Sequence, residues 1–246
     1  MTVVLYIILF SVLASLGAVA VAGGILVLPD RVRVWIVPRL ISYALGTLLG
    51  AALLGMLPHA LDHLPTRTVM MTLLAGILAF FVLEKLVIWR HCHDQDCPAH
   101  AASGVIILVG DAFHNFVDGL VIASAFMTSV PLGVAASMAV IAHEIPQEAG
   151  DFGILLHIGY SRRKAFLLNS LSASTTIAGA VLGYFGIMAL QSAAPYILCI
   201  SAASFLYIAL ADLIPIRREQ QRIGQSAIEL MLILAGIATI VLQGSH

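Results

Sequence analysis

Long apolar runs separated by short polar breaks make up almost the whole chain. They fall at about 3–28, 40–58, 69–89, 104–127, 132–157, 165–190, 194–214 and 226–243. Each is close to or above the roughly 20 apolar residues with which a helix crosses the hydrocarbon of a bilayer, so the pattern predicts eight transmembrane helices and an all-α integral membrane fold. The first run lacks a basic leading segment and is too long for a cleaved leader, so it reads as a retained span. Glycines recur four residues apart at Gly46 and Gly50 and again at Gly179 and Gly183. This spacing lets helix backbones approach closely in lipid.

Composition agrees with the pattern. The chain of 246 residues is 61% apolar and 10% charged, with a mean hydropathy of +1.03, whereas a soluble domain is about a quarter charged. A net charge of -1 with no dense basic segment argues against nucleic acid as a partner. Three cysteines cannot build a disulfide scaffold. Residues 1–246 read as a single polytopic domain with one hydrophilic loop at about 90–103. Eleven of the twelve Lys and Arg side chains lie in alternate loops, and only Arg67 falls on the other side. The positive-inside rule then places the basic loops in the cytoplasm and both termini outside it.

The candidate chemistry sits where hydropathy is worst served. The fourth run contains Asp111, His114, Asn115 and Asp118, and the fifth His143, Glu144, Gln147, Glu148 and Asp151. At 100° per residue the first set spans an arc of about 100° and the second roughly 140°, so each occupies one helix face. The two runs are joined by a short turn and return antiparallel, which puts Asp118 level with His143, His114 and Asn115 with Glu144 and Gln147, and Asp111 with Glu148 and Asp151. Pro146 is expected to kink the fifth helix and free the carbonyl of Ala142. Five carboxylates, two imidazoles and two carboxamides share this region without a single Lys or Arg on either helix. Ionisable groups within a bilayer cost about 2.5–3.5 kcal/mol each even on the lenient scale. A divalent cation would offset that cost, and the mixed nitrogen and oxygen donors suit zinc, iron(II), manganese or cadmium.

The strings HNFVDG (His114 to Gly119) and HEIPQEAGD (His143 to Asp151) resemble the paired signatures of the ZIP family of divalent-metal transporters. The second is closest to the subfamily pattern His-Glu-x-Pro-His-Glu-x-Gly-Asp, with Gln147 in place of its second His. The resemblance implies a binuclear metal site between helices four and five. One ion would sit on His114, Asp118, His143 and Gln147, and a second on Asn115, Asp118, Glu144 and Gln147, with Asp118 bridging and Glu148 beside them. It also implies inward transport of zinc, or of cadmium, iron(II) or manganese, through an alternating-access midplane site. Some family members add a carboxylate from the sixth span, where Asn169 to Thr176 here offers only Asn, Ser and Thr.

Other polar residues are candidates for the ion's route. The loop residues His91, Cys92, His93 and Cys97 form a metal-binding tract on the cytoplasmic side. His59, Asp62 and His63 could form an outer funnel, and Asp111, Asp151 and His157 an inner path. The alternative reading is an intramembrane zinc-dependent hydrolase, with Glu144 activating water; the zincin pattern, however, needs a second His at 147. The partners expected are the metal ion and the lipid bilayer, with a homodimer as a candidate assembly. The compact chain suggests a bacterial inner membrane.

Overall fold

The structure, a computed structural model, describes residues 2–89, 99–157, 159–189, 191–214 and 226–244. Every secondary-structure element among them is helical. Helix α1 (Thr2–Val12) continues through a π turn (Leu13–Gly17) into α2 (Ala18–Val27), and α3 (Asp30–Gly50) through another (Ala51–Met56) into α4 (Leu57–Leu61). Then come α5 (Thr66–Trp89), α6 (Ala99–Thr128) and α7 (Val130–His157), followed by α8 (Arg162–Ala173) and α9 (Thr175–Ala189), which meet at Ser174. A short 3-10 turn leads into α10 (Ala194–Tyr207), which ends in a third π turn (Ile208–Leu213), and α11 (Ser226–Gly244) follows. Joined end to end, the described elements form eight helical rods. Four stretches, Val3–Val27, Asp30–Leu61, Arg162–Gly186 and Ala194–Ala211, are long and apolar enough to cross a membrane by length and composition.

Two boundaries differ from the sequence expectation. The second rod begins at Asp30 instead of near 40, so Arg31, Arg33 and Arg39 lie on a helix and not in a loop. Its first turns are amphipathic: Arg33 pairs with Asp30 at 2.7 Å, and Arg39 lies 4.1 Å over the Trp35 ring. Pro29 precedes the first helical residue, a position that suits its fixed φ, and the helix continues through Pro38. The sixth rod is interrupted at Ser174, inside a run of Ser and Thr whose hydroxyls compete for backbone carbonyls; Ser174 Oγ donates to Leu171 O at 2.6 Å. Helix α7, by contrast, runs unbroken through Pro146.

Burial is inverted relative to a soluble protein. Large apolar side chains such as Leu5, Leu78, Phe81, Leu171, Leu182, Phe185 and Leu234 face outward, while Asp118, His143, Glu144, Glu148, Asn169 and Thr176 are buried. Hydrocarbon outside rewards that arrangement and water would not. Helix α6 packs on α7 and α9, α7 also on α2 and α3, and α3 on α11. The glycines set these distances. A Cβ at Gly179 would stand 2.0 Å from the Phe116 carbonyl oxygen, and one at Gly119 2.0 Å from that of Thr176, so the backbones of α6 and α9 touch. Gly46 and Gly236 do the same for α3 and α11, at 2.1 Å from Ile233 O and 2.4 Å from Tyr43 O. The packing role expected of both glycine pairs is thus observed.

Gly179→Ala must force α9 off α6 and is expected to cost about 1–3 kcal/mol, the usual range for overpacking. Thermal unfolding of the purified protein should show a clear drop for Gly179→Ala. Gly186→Ala, where nothing lies within 4 Å of an added Cβ, should melt like the unaltered chain.

Candidate metal centre

Helices α6 and α7 are joined through Ser129, whose Oγ accepts from the backbone N–H of Leu132 at 3.2 Å. The tight reversal lays their polar faces against each other at the heights expected from the sequence. His143 Nε2 lies 3.0 Å from Asp118 Oδ2, 3.3 Å from His114 Nε2 and 3.6 Å from Glu144 Oε1. His114 Nε2 is 3.4 Å from Glu144 Oε1 and 3.6 Å from Asp118 Oδ2. One donor atom from each of these four residues fits within 4.8 Å of all the others. Three of the four are buried, while His114 keeps partial exposure.

The protonation pattern of His143 shapes what this cluster can do. Its Nδ1 lies 2.9 Å from the carbonyl oxygen of Ala139 one turn earlier on α7. A carbonyl can only accept, so Nδ1 carries the hydrogen and Nε2 of the neutral ring presents a lone pair. That lone pair points at a carboxylate and a second imidazole. Acceptors converging in this way repel one another unless a positive charge sits among them, and a backbone carbonyl behind the ring is the usual support of a metal-binding His. Phe205 of α10 packs edge-on to the His143 ring at 5.9 Å and closes one side with apolar surface.

A second group, Asp111, Glu144 and Glu148, also brings three donor atoms within 4.8 Å of one another and shares Glu144 with the first. Behind it stands the interrupted sixth rod. The Asn169 amide donates to Glu148 Oε2 and to Glu148 O, Ser172 Oγ donates to Asp111 Oδ2 at 2.5 Å, and Thr176 Oγ1 donates to Asn115 Oδ1 at 2.8 Å. Asn115 in turn donates to Asp111 Oδ1 at 3.0 Å. Several buried oxygens are left with no hydrogen-bond partner: Asp118 Oδ1, both oxygens of Glu144, Glu148 Oε1 and Asn169 Oδ1. Neither α6 nor α7 contains a Lys or Arg to neutralise them.

The structure therefore brings together His114, Asp118, His143, Glu144, Glu148 and Asp111. Asn115 lies beside them with its amide and its oxygen both engaged by protein partners. Gln147 and Asp151 are half-buried on the same helix, and Asp151 belongs to neither group of His, Asp and Glu donors. His59, Asp62 and His63 sit apart at the end of α4; the Nδ1 atoms of the two imidazoles bond back to Gly55 O and His59 O, each at 2.9 Å. His91, Cys92, His93 and Cys97 lie outside the described residues, as does the side chain of His157. The residues that sequence reasoning undervalued are Asn169, Ser172 and Thr176. Their three- and four-residue spacing marks one helix face, a signal hidden by the attention given to carboxylates.

Comparison with known proteins identifies the family. The profile of the family described as "ZIP Zinc transporter" matches residues 89–244, which include all of α6 to α11. The chain belongs to the ZIP family. It is a family of membrane transporters and not of enzymes, and the chain is an integral membrane protein. The chain is 32% identical to zinc transporter ZIP13 of Pongo abelii over 226 residues, 85% of this chain and 67% of that protein. Against human ZIP13 the identity is 29% over 265 residues, 85% and 71% of the two chains. Against human ZIP4 it is 44% over 110 residues, 45% of this chain but only 17% of the much longer ZIP4. These relatives are mammalian, so the bacterial membrane suggested by chain length gains no support from them, and none bears on a homodimer.

The α9 contact to Asn115 has a measurable weight. Thr176→Val removes the hydroxyl and leaves the Asn115 carbonyl buried without a donor, at an expected cost of about 1–3 kcal/mol. Thermal unfolding in detergent should register it, and an unchanged melt would show that Asn115 finds another donor.

Proposed function

We propose that this ZIP chain carries zinc, or a closely related divalent ion such as cadmium, iron(II) or manganese, across the membrane into the cytoplasm. The ion would lose its water shell to His114, Asp118, His143 and Glu144, with Gln147 and Asn115 lining the same region. The observation that carries the reading is the convergence of the His143 Nε2 lone pair, the His114 ring and two buried carboxylates on one point, with no Lys or Arg on either helix. Imidazole with carboxylate is a donor set suited to those ions and poorly suited to magnesium or calcium.

Inward direction is what the family resemblance implies, and the charge of the loops supports the orientation of the chain. With eleven of twelve basic residues assigned to one side, the termini lie outside and the Arg162, Arg163 and Lys164 end of the path opens to the cytoplasm. Access would alternate around the cluster between the two faces, as in other secondary transporters whose sites lie between helices. The hydrolase reading has little to recommend it: position 147 is Gln, so α7 has no second imidazole one turn after His143, and the family is one of transporters.

Proteoliposomes holding the purified chain should accumulate radioactive zinc. Asp118→Ala, which removes the carboxylate facing both imidazoles, is expected to reduce uptake to the level of empty vesicles while the protein stays folded by size exclusion. Uptake at the unaltered rate in that variant would refute the ligand assignment.

A further inference from the structure

The rod that begins with α3 is longer than the membrane it crosses. It runs from Asp30 to Leu61, 32 residues, or about 48 Å at the usual helical rise, against a hydrocarbon layer of about 30 Å. The stretch from Leu40 to Leu57, which has no charged residue, fills most of that layer alone, and the surplus lies at the Asp30 end. Counted along the axis, Arg39 stands at the edge of the hydrocarbon and Trp35 about 6 Å beyond it, at the level of the headgroups. Arg31 lies about 12 Å beyond, within reach of the same level through its long side chain. We propose that Arg31, Trp35 and Arg39 form a site for the headgroup of an anionic phospholipid.

Three observations carry it. Positions 31, 35 and 39 are spaced four apart and so form one stripe along the helix, with Val34 beside them. Trp35 is 58% exposed and Val34 71%, and an indole is the side chain that settles where hydrocarbon meets water. Secondly, the arginines of this segment are not equivalent. Arg33, on the far side of the helix, is paired with Asp30 at 2.7 Å. The exposed Arg31 guanidinium has no protein partner among the described residues. Arg39 is fixed against Trp35: one of its N–H groups donates to the Trp35 carbonyl at 2.5 Å, and the guanidinium carbon stands 4.1 Å from the ring centroid. The rest of its planar fork of donors remains for a ligand. Thirdly, Lys164 Nζ lies 4.4 Å over the Tyr160 ring and Lys85 Nζ 5.5 Å over that of Phe81. The alternation of the rods puts all three pairs at one end of the bundle, where a ring of cations and aromatics marks the headgroup level.

Charge complementarity names the occupant. Asp30 is the one carboxylate between Leu28 and Leu40, and it is spent on Arg33, so the stripe is left purely cationic. A guanidinium on each side of an exposed indole, one turn away in either direction, suits a phosphodiester: the phosphate oxygens accept paired N–H groups, and the ring covers the glycerol and the first acyl carbons. A zwitterionic lipid brings an ammonium group beside its phosphate, which the arginines repel, whereas phosphatidylglycerol brings none. A soluble phosphate lacks the apolar part that Trp35 and Val34 cover.

Fluorescence of the full chain in vesicles tests this. Trp35 and Trp89 are its two tryptophans, so Trp89→Phe leaves Trp35 as the reporter. The vesicles hold equal amounts of phosphatidylcholine and phosphatidylglycerol, with bromine on the acyl chains of one lipid or the other. Brominated phosphatidylglycerol should quench Trp35 more strongly, with an enrichment of about fivefold for each arginine that meets the headgroup. Arg31→Gln combined with Arg39→Gln should make the two lipids quench equally. Arg162→Gln combined with Arg163→Gln, which removes as much charge from another rod at the same end, should leave the preference in place, as should an excess of inorganic phosphate. Equal quenching before any arginine is changed, or a preference that survives the change at 31 and 39, overturns the site. Loss of the preference with the pair at 162 and 163 would show a diffuse field instead, and loss on adding phosphate a site for free anions; either result overturns it too. A second readout needs no change at Trp89: phosphatidylglycerol should raise the melting temperature of the purified chain in detergent above the value with phosphatidylcholine, and the variant at 31 and 39 should lose that difference. An equal shift in both chains counts against the site.

Discussion

Everything in this molecule is arranged around negative charge that the protein itself does not neutralise. Asp118, Glu144 and Glu148 are buried between α6 and α7 with oxygens that have no hydrogen-bond partner, and neither helix carries a Lys or Arg. In a low-dielectric interior such an arrangement is unfavourable unless a positive charge arrives from outside the protein. The site is therefore built in the sense opposite to a structural salt bridge: its incompleteness gives it affinity for a cation.

The surrounding fold keeps that incompleteness in place. The antiparallel turn at Ser129 matches the heights of the two polar faces, and Phe205 covers His143 with apolar surface. The break at Ser174 turns a run of Ser and Thr into a row of neutral donors. Thr175 Oγ1 reaches Ala112 O at 2.6 Å and Ser172 Oγ reaches Leu108 O at 3.0 Å, so the sixth rod grips the backbone of α6 as well as its side chains. Neutral hydrogen bonds can orient carboxylates without cancelling their charge, which a Lys or Arg in the same place would do.

Much of this was legible in the sequence because two periodicities were strong. The 3.6-residue period placed Asp111, His114, Asn115 and Asp118 on one face and His143, Glu144 and Glu148 on the other, and the apolar runs located the rods closely except at the start of the second. Glycines at 46, 50, 179 and 183 announced close contacts because few other features require that spacing. What the sequence concealed were properties of partners. Asn115 gives no sign in the sequence that Thr176 donates to its oxygen and that its amide donates to Asp111. Asn169 and Ser172 look inert until the fold brings Glu148 and Asp111 against them. The helical start at Asp30 was hidden by three arginines, which read as loop residues although an Asp30 pair and Trp35 accommodate two of them on a helix.

The backbone contacts made by the glycines carry a mechanical consequence. Where Gly179 meets the Phe116 carbonyl and Gly119 meets that of Thr176, sliding α9 along α6 by a single residue would drive a side chain into a peptide group. The contact of α3 with α11 is of the same kind. Backbones in direct contact favour movement of α6 with α9, and of α3 with α11, as joined units, with displacement left to the interfaces cushioned by side chains.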